Sequence, residues 1–176
     1  MIFLVTGDSL YKDFLKIINT RAIQITCVCL FSMLICQLIK FVILSIRNKK
    51  IIWNYMFITG GFPSSHSCLC LTLTTSLFLF QMHDLEGLDW SFAVAVVVSL
   101  ITLHDAMGIR LEASKHAVIL NNLVKEVPIE EKKALGFGKK GFLKELLGHK
   151  AFEVFGGALL GMIIGISGYF ILVSFL

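Results

Sequence analysis

The chain has 176 residues, of which 56% are hydrophobic and 16% charged, with a formal net charge of +4 and a mean hydropathy of +0.82. A soluble globular domain has about 25% charged residues and fewer apolar ones. These values exclude a soluble domain and predict an integral membrane protein.

The N-terminal residues 1–20 do not read as a cleaved signal peptide, because Lys12 and Lys16 follow the apolar start and a small-residue cleavage site is missing. They predict a short amphipathic helix, capped near Asp8 or Ser9.

Four apolar runs then approach or reach the length of about 20 residues that a helix needs to cross a hydrocarbon core. They cover residues 22–46, 66–82, 90–109 and 154–176. We therefore expect an all-α fold, a bundle of about four transmembrane helices with an N-terminal amphipathic helix and a polar loop. Residues 1–176 are expected to form a single membrane-embedded domain.

The charges are distributed unequally over the connecting segments. With four crossings, residues 47–55 and 110–150 share one side of the membrane, and most of the basic residues lie there. Residues 83–89, on the other side, include acids but neither lysine nor arginine. Because cytoplasmic loops carry an excess of lysine and arginine, the first side is predicted to be cytoplasmic.

A set of unusual polar residues within or bordering the apolar runs maps to this cytoplasmic side. Ionisable groups at such depths are costly, so they usually pair or perform chemistry. A set with two histidines, carboxylates and several cations at separate helix ends favours a pocket for an anion. The set consists of Lys40, Arg47, Ser64, Ser65, His66, His104, Asp105, Arg110, Lys144, His149 and Glu153.

The stretch GGFPSSHS, residues 60–67, precedes the second run. Ser64 is a suitable N-cap, and the free amides at a helix start, together with two hydroxyls, can bind phosphate. His66 then lies where it can give a proton to a leaving oxygen. A capped helix with an interfacial histidine explains the same residues without catalysis.

His149 and Glu153 are four positions apart, which on a helix places them on one face. A carboxylate that holds one imidazole nitrogen leaves the other free to attack phosphorus. Gly157, Gly161 and Gly165 continue this face and would let another helix approach closely, which is compatible with a homodimer through this face. An interfacial His/Glu pair above a packing seam is the alternative.

Lys40 and Arg47 lie two turns apart on roughly one face of the first predicted span, where they could neutralise a bound phosphate. Membrane anchoring by positive charge accounts for Arg47 equally well. His104 and Asp105 are accessory candidates. Asp105 could pair with a cation or bind a metal, and the sequence leaves this choice open.

Residues 121–141 are polar and are interrupted by Pro128 and several glycines, so they predict a cytoplasmic loop. The lysines of this loop adjoin a membrane and lack interleaved aromatic residues, which favours anionic lipid headgroups over nucleic acid as partners. The cysteines all lie within apolar runs and are predicted to be reduced packing residues.

The order of these motifs resembles that of the type-2 phosphatidic acid phosphatase superfamily, which is related to vanadium haloperoxidases. The matching elements are K-x6-R at 40–47, PSSH at 63–66, and H-x3-E at 149–153 followed by VFGG. The sequences around GGFPSSHS, DAMGIR and KELLGH are similar to a divergent bacterial and plant branch of that superfamily. The resemblance extends over nearly the whole chain.

The resemblance implies a phosphatase-like domain in which His149 attacks phosphorus, Glu153 orients His149, and His66 protonates the leaving alkoxide. Lys40, Arg47, Ser64 and Ser65 would hold the phosphoryl oxygens. Since the site is predicted on the cytoplasmic side, substrates made there are favoured, such as phosphatidylglycerophosphate or phosphatidic acid. The implied reaction is removal of a phosphate monoester from such a lipid. It requires no cofactor, and a dependence on divalent metal is left open. The location implied is a bacterial plasma membrane or a plastid membrane.

The chain departs from the superfamily pattern at several positions. Asn48 stands in place of proline, Ser65 in place of glycine and Glu153 in place of aspartate. The Ser-Arg pair of the pattern is missing at its expected spacing, where Lys144 is the nearest cation and Arg110 a candidate substitute. A non-catalytic membrane protein that binds anionic lipids or assembles with partner helices is therefore the alternative function.

Overall fold

A computed structural model describes residues 20–57, 60–84, 87–137, 141–145 and 148–174. The described residues form helices joined by turns, without β-strands. The helices are α1 (Arg21–Asn48), α2 (Ser65–Asp84), α3 (Trp90–Met107), α4 (Ile109–Leu123), α5 (Ile129–Ala134) and α6 (Ala151–Ser174), and a 3-10 turn (Trp53–Phe57) follows α1. The expected all-α fold is confirmed. The predicted amphipathic helix lies in residues 1–19, outside the described residues.

Three stretches of the described chain are long and apolar enough to cross a membrane, namely Arg21–Asn48, Trp90–Leu123 and Ala151–Ser174. The second of these contains both α3 and α4, which are separated at Gly108. We predicted that this span ends at residue 109, whereas helical structure resumes there and continues to Leu123. The protein is an all-α membrane protein.

The fourth predicted span, residues 66–82, corresponds to α2, which is long enough to cross a membrane but less apolar than the other three. Its hydroxyl side chains at Ser67, Thr72 and Ser76 are buried. They are enclosed because α2 packs between α1, α3 and α6. The position of α2 inside the bundle therefore accounts for its polar residues.

The helices alternate in direction around α2. Arg21 at the start of α1 contacts Asp84 at the end of α2, and Gln81 near the end of α2 contacts Asp89 just before α3. These contacts make α2 antiparallel to both neighbours. Consequently α1 and α3 finish where α2 and α6 begin, which we call the site end of the bundle. The opposite end is the far end.

The closest helix contact joins α2 and α6, which run parallel. A Cβ atom added to Gly157 would lie 2.2 Å from the carbonyl oxygen of Ser64, and one added to Gly161 would lie 2.3 Å from that of Cys68. Gly165 lies in the same way against Thr72 and Thr75. The predicted close approach of a helix thus occurs within the chain.

This packing corrects the surface that we expected a homodimer to use. Gly157, Gly161 and Gly165 are buried against α2, so their face is not accessible to a second copy of the chain. A homodimer stays a prediction, and it would need another surface.

Candidate active site

Two backbone hydrogen bonds connect the helix ends at the site end. The amide of Ser64, just before α2, donates to the carbonyl oxygen of Glu153 in α6 over 2.9 Å. The amide of His149 donates to the carbonyl oxygen of Ala106 in α3 over 3.0 Å. The segments that carry the two predicted motifs are therefore held together through the backbone.

His149 is buried at this junction, with 2% of its surface exposed. Its Nδ1 lies 3.2 Å from Oε2 of Glu153, whereas its Nε2 is buried without a hydrogen-bond partner among the described residues. A carboxylate beside Nδ1 favours the tautomer that carries the proton there. In that tautomer Nε2 carries the lone pair.

Burial lowers the pKa of His149 below its usual value. The hydrogen bond with Glu153 acts in the opposite direction, and the charge of Lys40 reinforces the lowering. The imidazole is consequently neutral near neutral pH, which is the form that can act as a nucleophile.

Glu153 also has a structural role at the start of α6. We predicted His149 and Glu153 on one helical face, but α6 begins at Ala151 and His149 lies before it. The pair forms because the Glu153 carboxylate reaches back over the first turn, where its Oε2 also accepts a hydrogen bond from the amide of Lys150 over 3.1 Å. This is one half of a capping box.

Gly148 positions His149 and was not identified from the sequence. A Cβ atom on Gly148 would lie 2.4 Å from both Cα and N of Leu111 in α4. Any larger residue would push the backbone away from α4 and move the histidine. The sequence signal that could have identified Gly148 is its position directly before His149.

Lys40 reaches the site, whereas Arg47 is exposed in the last turn of α1. The Lys40 side chain has 0% exposure, and its charge interacts with those of Glu153 and His149. Asn48, which replaces the proline of the superfamily pattern, donates a hydrogen bond to the Tyr55 hydroxyl over 3.1 Å. This bond ties the end of α1 to the 3-10 turn.

Ser64 caps α2, as its sequence position predicted. Its Oγ accepts a hydrogen bond from the amide of Ser67 over 3.4 Å and lies 2.9 Å from the Ser67 hydroxyl. Ser65, the first residue of α2, is also buried.

His66 is exposed, but its ring faces that of His149. The ring centroids are 6.5 Å apart, and the ring planes make an angle of 62°. The two imidazoles therefore share one site but differ in environment, one buried and bonded to a carboxylate, the other open to solvent.

Arg110 and Asp105 form an ion pair at the edge of the site. Their charges both act on His66. His104 is exposed, and within the described ranges no group of three or more His, Cys, Asp or Glu side chains is arranged as metal ligands.

The exposed Lys144 belongs to a short segment, residues 141–145, that is fastened to α4. The Asn121 amide nitrogen donates to the Leu143 carbonyl oxygen over 3.0 Å and to Glu145 Oε1 over 2.7 Å. Its oxygen accepts from the Leu143 amide over 2.8 Å. The sequence predicts Asn121 at the start of a loop, whereas it lies in α4. Its role depends on residues more than twenty positions away, so local sequence could not reveal it.

Comparison with known proteins connects these residues to a family. A sequence model described as the divergent PAP2 family matches residues 22–164, which include every candidate site residue. An uncharacterized membrane protein of Bacillus subtilis (strain 168), YuiD, is 38% identical over 146 residues, covering 77% of this chain and 87% of that protein. No solved structure gives a significant match.

Proposed function

This chain belongs to the divergent PAP2 family, and we propose that it is an integral-membrane lipid phosphate phosphatase. The reaction would remove a phosphate monoester from a phospholipid through a phosphohistidine intermediate. The observation that carries the proposal is the buried Nε2 of His149, which lacks a hydrogen-bond partner among the described residues, beside a carboxylate and a buried lysine.

In the first step, Nε2 of His149 attacks phosphorus as the bond from phosphorus to the lipid oxygen breaks. Glu153 holds the Nδ1 proton and stabilises the positive charge that develops on the ring. His66, exposed and facing His149, gives its proton to the leaving alkoxide. Water then attacks the phosphohistidine and gives a proton to His66, so that the bond from phosphorus to Nε2 breaks, inorganic phosphate is released, and neutral His149 and protonated His66 are regenerated.

Cations and hydrogen-bond donors would hold the phosphoryl oxygens, whose negative charge is stabilised throughout the transfer. Lys40 supplies a buried charge next to the nucleophile. Arg110 takes the place of the missing arginine of the superfamily pattern when phosphate displaces Asp105 from it. The other proposed ligands are Arg47, Ser64, Ser65 and Lys144.

The substrate is proposed to be phosphatidylglycerophosphate or phosphatidic acid, reached from the cytoplasmic face of a bacterial plasma membrane or a plastid membrane. The excess of basic residues in 47–55 and 110–150 supports this side. A cysteine introduced at exposed Lys133 should resist labelling by a membrane-impermeant maleimide added to intact cells. Labelling from outside would reverse the assignment.

The test of the activity is phosphate release by the purified protein from a panel of lipid phosphates. We expect His149→Ala to lower the rate more than about a thousandfold, because the nucleophile is lost. His83→Ala, at the far end, is the matched control and should leave the rate unchanged. Equal turnover by the wild type and His149→Ala would contradict the catalytic role.

His66→Ala separates proton donation from nucleophilic attack. The variant should be strongly impaired with phosphatidic acid, whose alkoxide needs a proton, and much less with p-nitrophenyl phosphate, whose phenolate does not. Equal impairment on both substrates would contradict the assigned role. Binding of anionic lipid without turnover by the wild type would instead favour the non-catalytic alternative.

A further inference from the structure

A stacked pair of phenylalanines borders the candidate active site. The rings of Phe62 and Phe152 lie 5.7 Å apart between centroids, with an angle of 16° between their planes. Phe62 is 39% exposed and Phe152 is 58% exposed. The Phe62 ring lies on Gly156, where a Cβ atom would come within 2.2 Å of it, so this arrangement requires a glycine in α6.

Both phenylalanines are neighbours of site residues. Phe62 precedes Pro63 and the helix cap Ser64, and Phe152 lies between His149 and Glu153. Successive residues of a helix point about 100° apart. Thus Glu153 points to His149, whereas Phe152 points outward, and the two lie within one helical turn.

The outward direction is the membrane-facing side of α6. Large apolar side chains at helical spacing are exposed along this face from the site end to the far end. They are Phe152, Phe155, Leu159, Ile163, Ile166 and Phe170. Phe152 is the first of them, so the aromatic pair stands where the lipid-facing surface meets the phosphate-binding residues.

We infer that Phe62 and Phe152 form a subsite for the hydrocarbon part of the substrate next to its phosphate. This inference rests on the proposed function and adds which residues recognise the hydrocarbon part of the substrate. A lipid whose phosphate reaches Nε2 of His149 has to lift its first methylene groups towards water. The two rings cover those groups, which stabilises the bound lipid but does nothing for a phosphate ester without a hydrocarbon chain.

The test compares two water-soluble substrates with the same phosphate monoester, dihexanoyl phosphatidic acid and glycerol 3-phosphate. Protein in nanodiscs is assayed for kcat/KM and, with His149→Ala as background, for equilibrium binding. The variants are Phe62→Ala, Phe152→Ala and Phe62→Leu, and the matched control is Phe170→Ala, which is likewise exposed on α6 but lies at the far end.

We expect each alanine variant at the pair to lower the preference for the dihexanoyl substrate about tenfold, the contribution of roughly two buried methylene groups. Phe62→Leu should recover most of the preference, and Phe170→Ala should not change it. An unchanged preference, or an equal loss on both substrates, would overturn the inference.

The equilibrium binding measurement tests this inference independently of the proposed reaction. If the wild type releases phosphate from neither substrate, the phosphatase proposal fails, and the ratio of the two Kd values still decides on the subsite. A tenfold change in that ratio supports it, and a ratio unaffected by both alanine variants overturns it.

Discussion

Histidine, acidic and arginine side chains occur at both ends of the bundle, but their hydrogen-bonding groups are satisfied differently. At the far end, Arg21 donates to both oxygens of Asp84, over 2.6 and 3.2 Å, and its guanidinium lies 4.8 Å from the centroid of the Phe80 ring. Gln81 bonds Asp89 and Ser91, each over 2.7 Å. These bonds join α1 and α3 to α2.

At the site end, by contrast, a buried histidine nitrogen has no hydrogen-bond partner among the described residues, and a lysine is fully enclosed. Leaving a buried polar atom without a partner costs free energy that folding does not recover. The comparison teaches that charged residues at a membrane boundary do not by themselves indicate a site. What distinguishes the site end is a buried imidazole nitrogen, Nε2 of His149, without a hydrogen-bond partner among the described residues.

Replacing Glu153 should have the largest effect of the changes that test this contrast. Glu153→Gln keeps the shape but loses the charge that orients His149, so we expect kcat/KM for phosphatidic acid to fall at least about a hundredfold. The hydrogen bond that Nδ1 of His149 donates to this carboxylate raises the pKa of His149. Without it the pKa falls, so the acid limb of the pH profile should move to lower pH.

The control for this variant is Glu112→Gln, which removes an exposed carboxylate of α4 paired with Lys115. It should leave both the rate and the pH profile unchanged. A Glu153→Gln protein whose acid limb stays in place would show that the carboxylate does not act through His149.

Removing the charge of Lys40 should have the next largest effect. Lys40→Met keeps most of the side-chain volume but removes a charged hydrogen-bond donor. We expect kcat/KM to fall roughly 10- to 100-fold. Lys50→Met, just beyond α1 and exposed, is the control. Equal small effects of the two variants in a phosphate-release assay would mean that Lys40 does not bind the substrate.

A methyl group at the α2–α6 contact should affect stability more than any change to the far-end ion pair. Gly161→Ala places a carbon 2.3 Å from the Cys68 carbonyl oxygen, so the helices have to separate. We expect a loss of about 1–3 kcal/mol, measured by thermal unfolding in detergent. Gly87→Ala has nothing within 4 Å of the new atom and serves as control. Equal unfolding temperatures would contradict the packing.

The smallest effect is expected at the far end. Asp84→Asn removes an ion pair whose side chains are 32% and 28% exposed, and pairs of this kind contribute at most about 1 kcal/mol. Phosphate release should be unchanged. A substantial loss of activity would show that the far end takes part in function, which would remove the contrast between the two ends.

Much of this arrangement follows from local sequence. The lengths of the apolar runs predicted α1, α3 and α6, and the alternation of their direction brought Lys40, Ser64 and His149 to one end. The spacing of His149 and Glu153 predicted their contact even though the histidine lies outside the helix. These features depend on the lengths of the apolar runs and on helical periodicity, both of which can be read from the sequence.

Other features depend on which helices pack against each other, and local sequence does not determine this. The glycines of α6 indicated a close helix contact but not that α2 of the same chain makes it. Gly148 and Asn121 act on segments distant in sequence, on Leu111 and Leu143 respectively. Their roles became visible only with the tertiary contacts.

The hydroxyl groups of α2 have a consequence for how the chain is assembled during synthesis. A helix with inward serines and threonines gains little from entering a bilayer alone, so α2 depends on more apolar partners. The ribosome completes α1 and α3 long before α6, whose glycine face fits α2. Arrival of α6 is therefore the step that closes the bundle, and until then the nascent protein holds an unfinished, polar surface within the lipid.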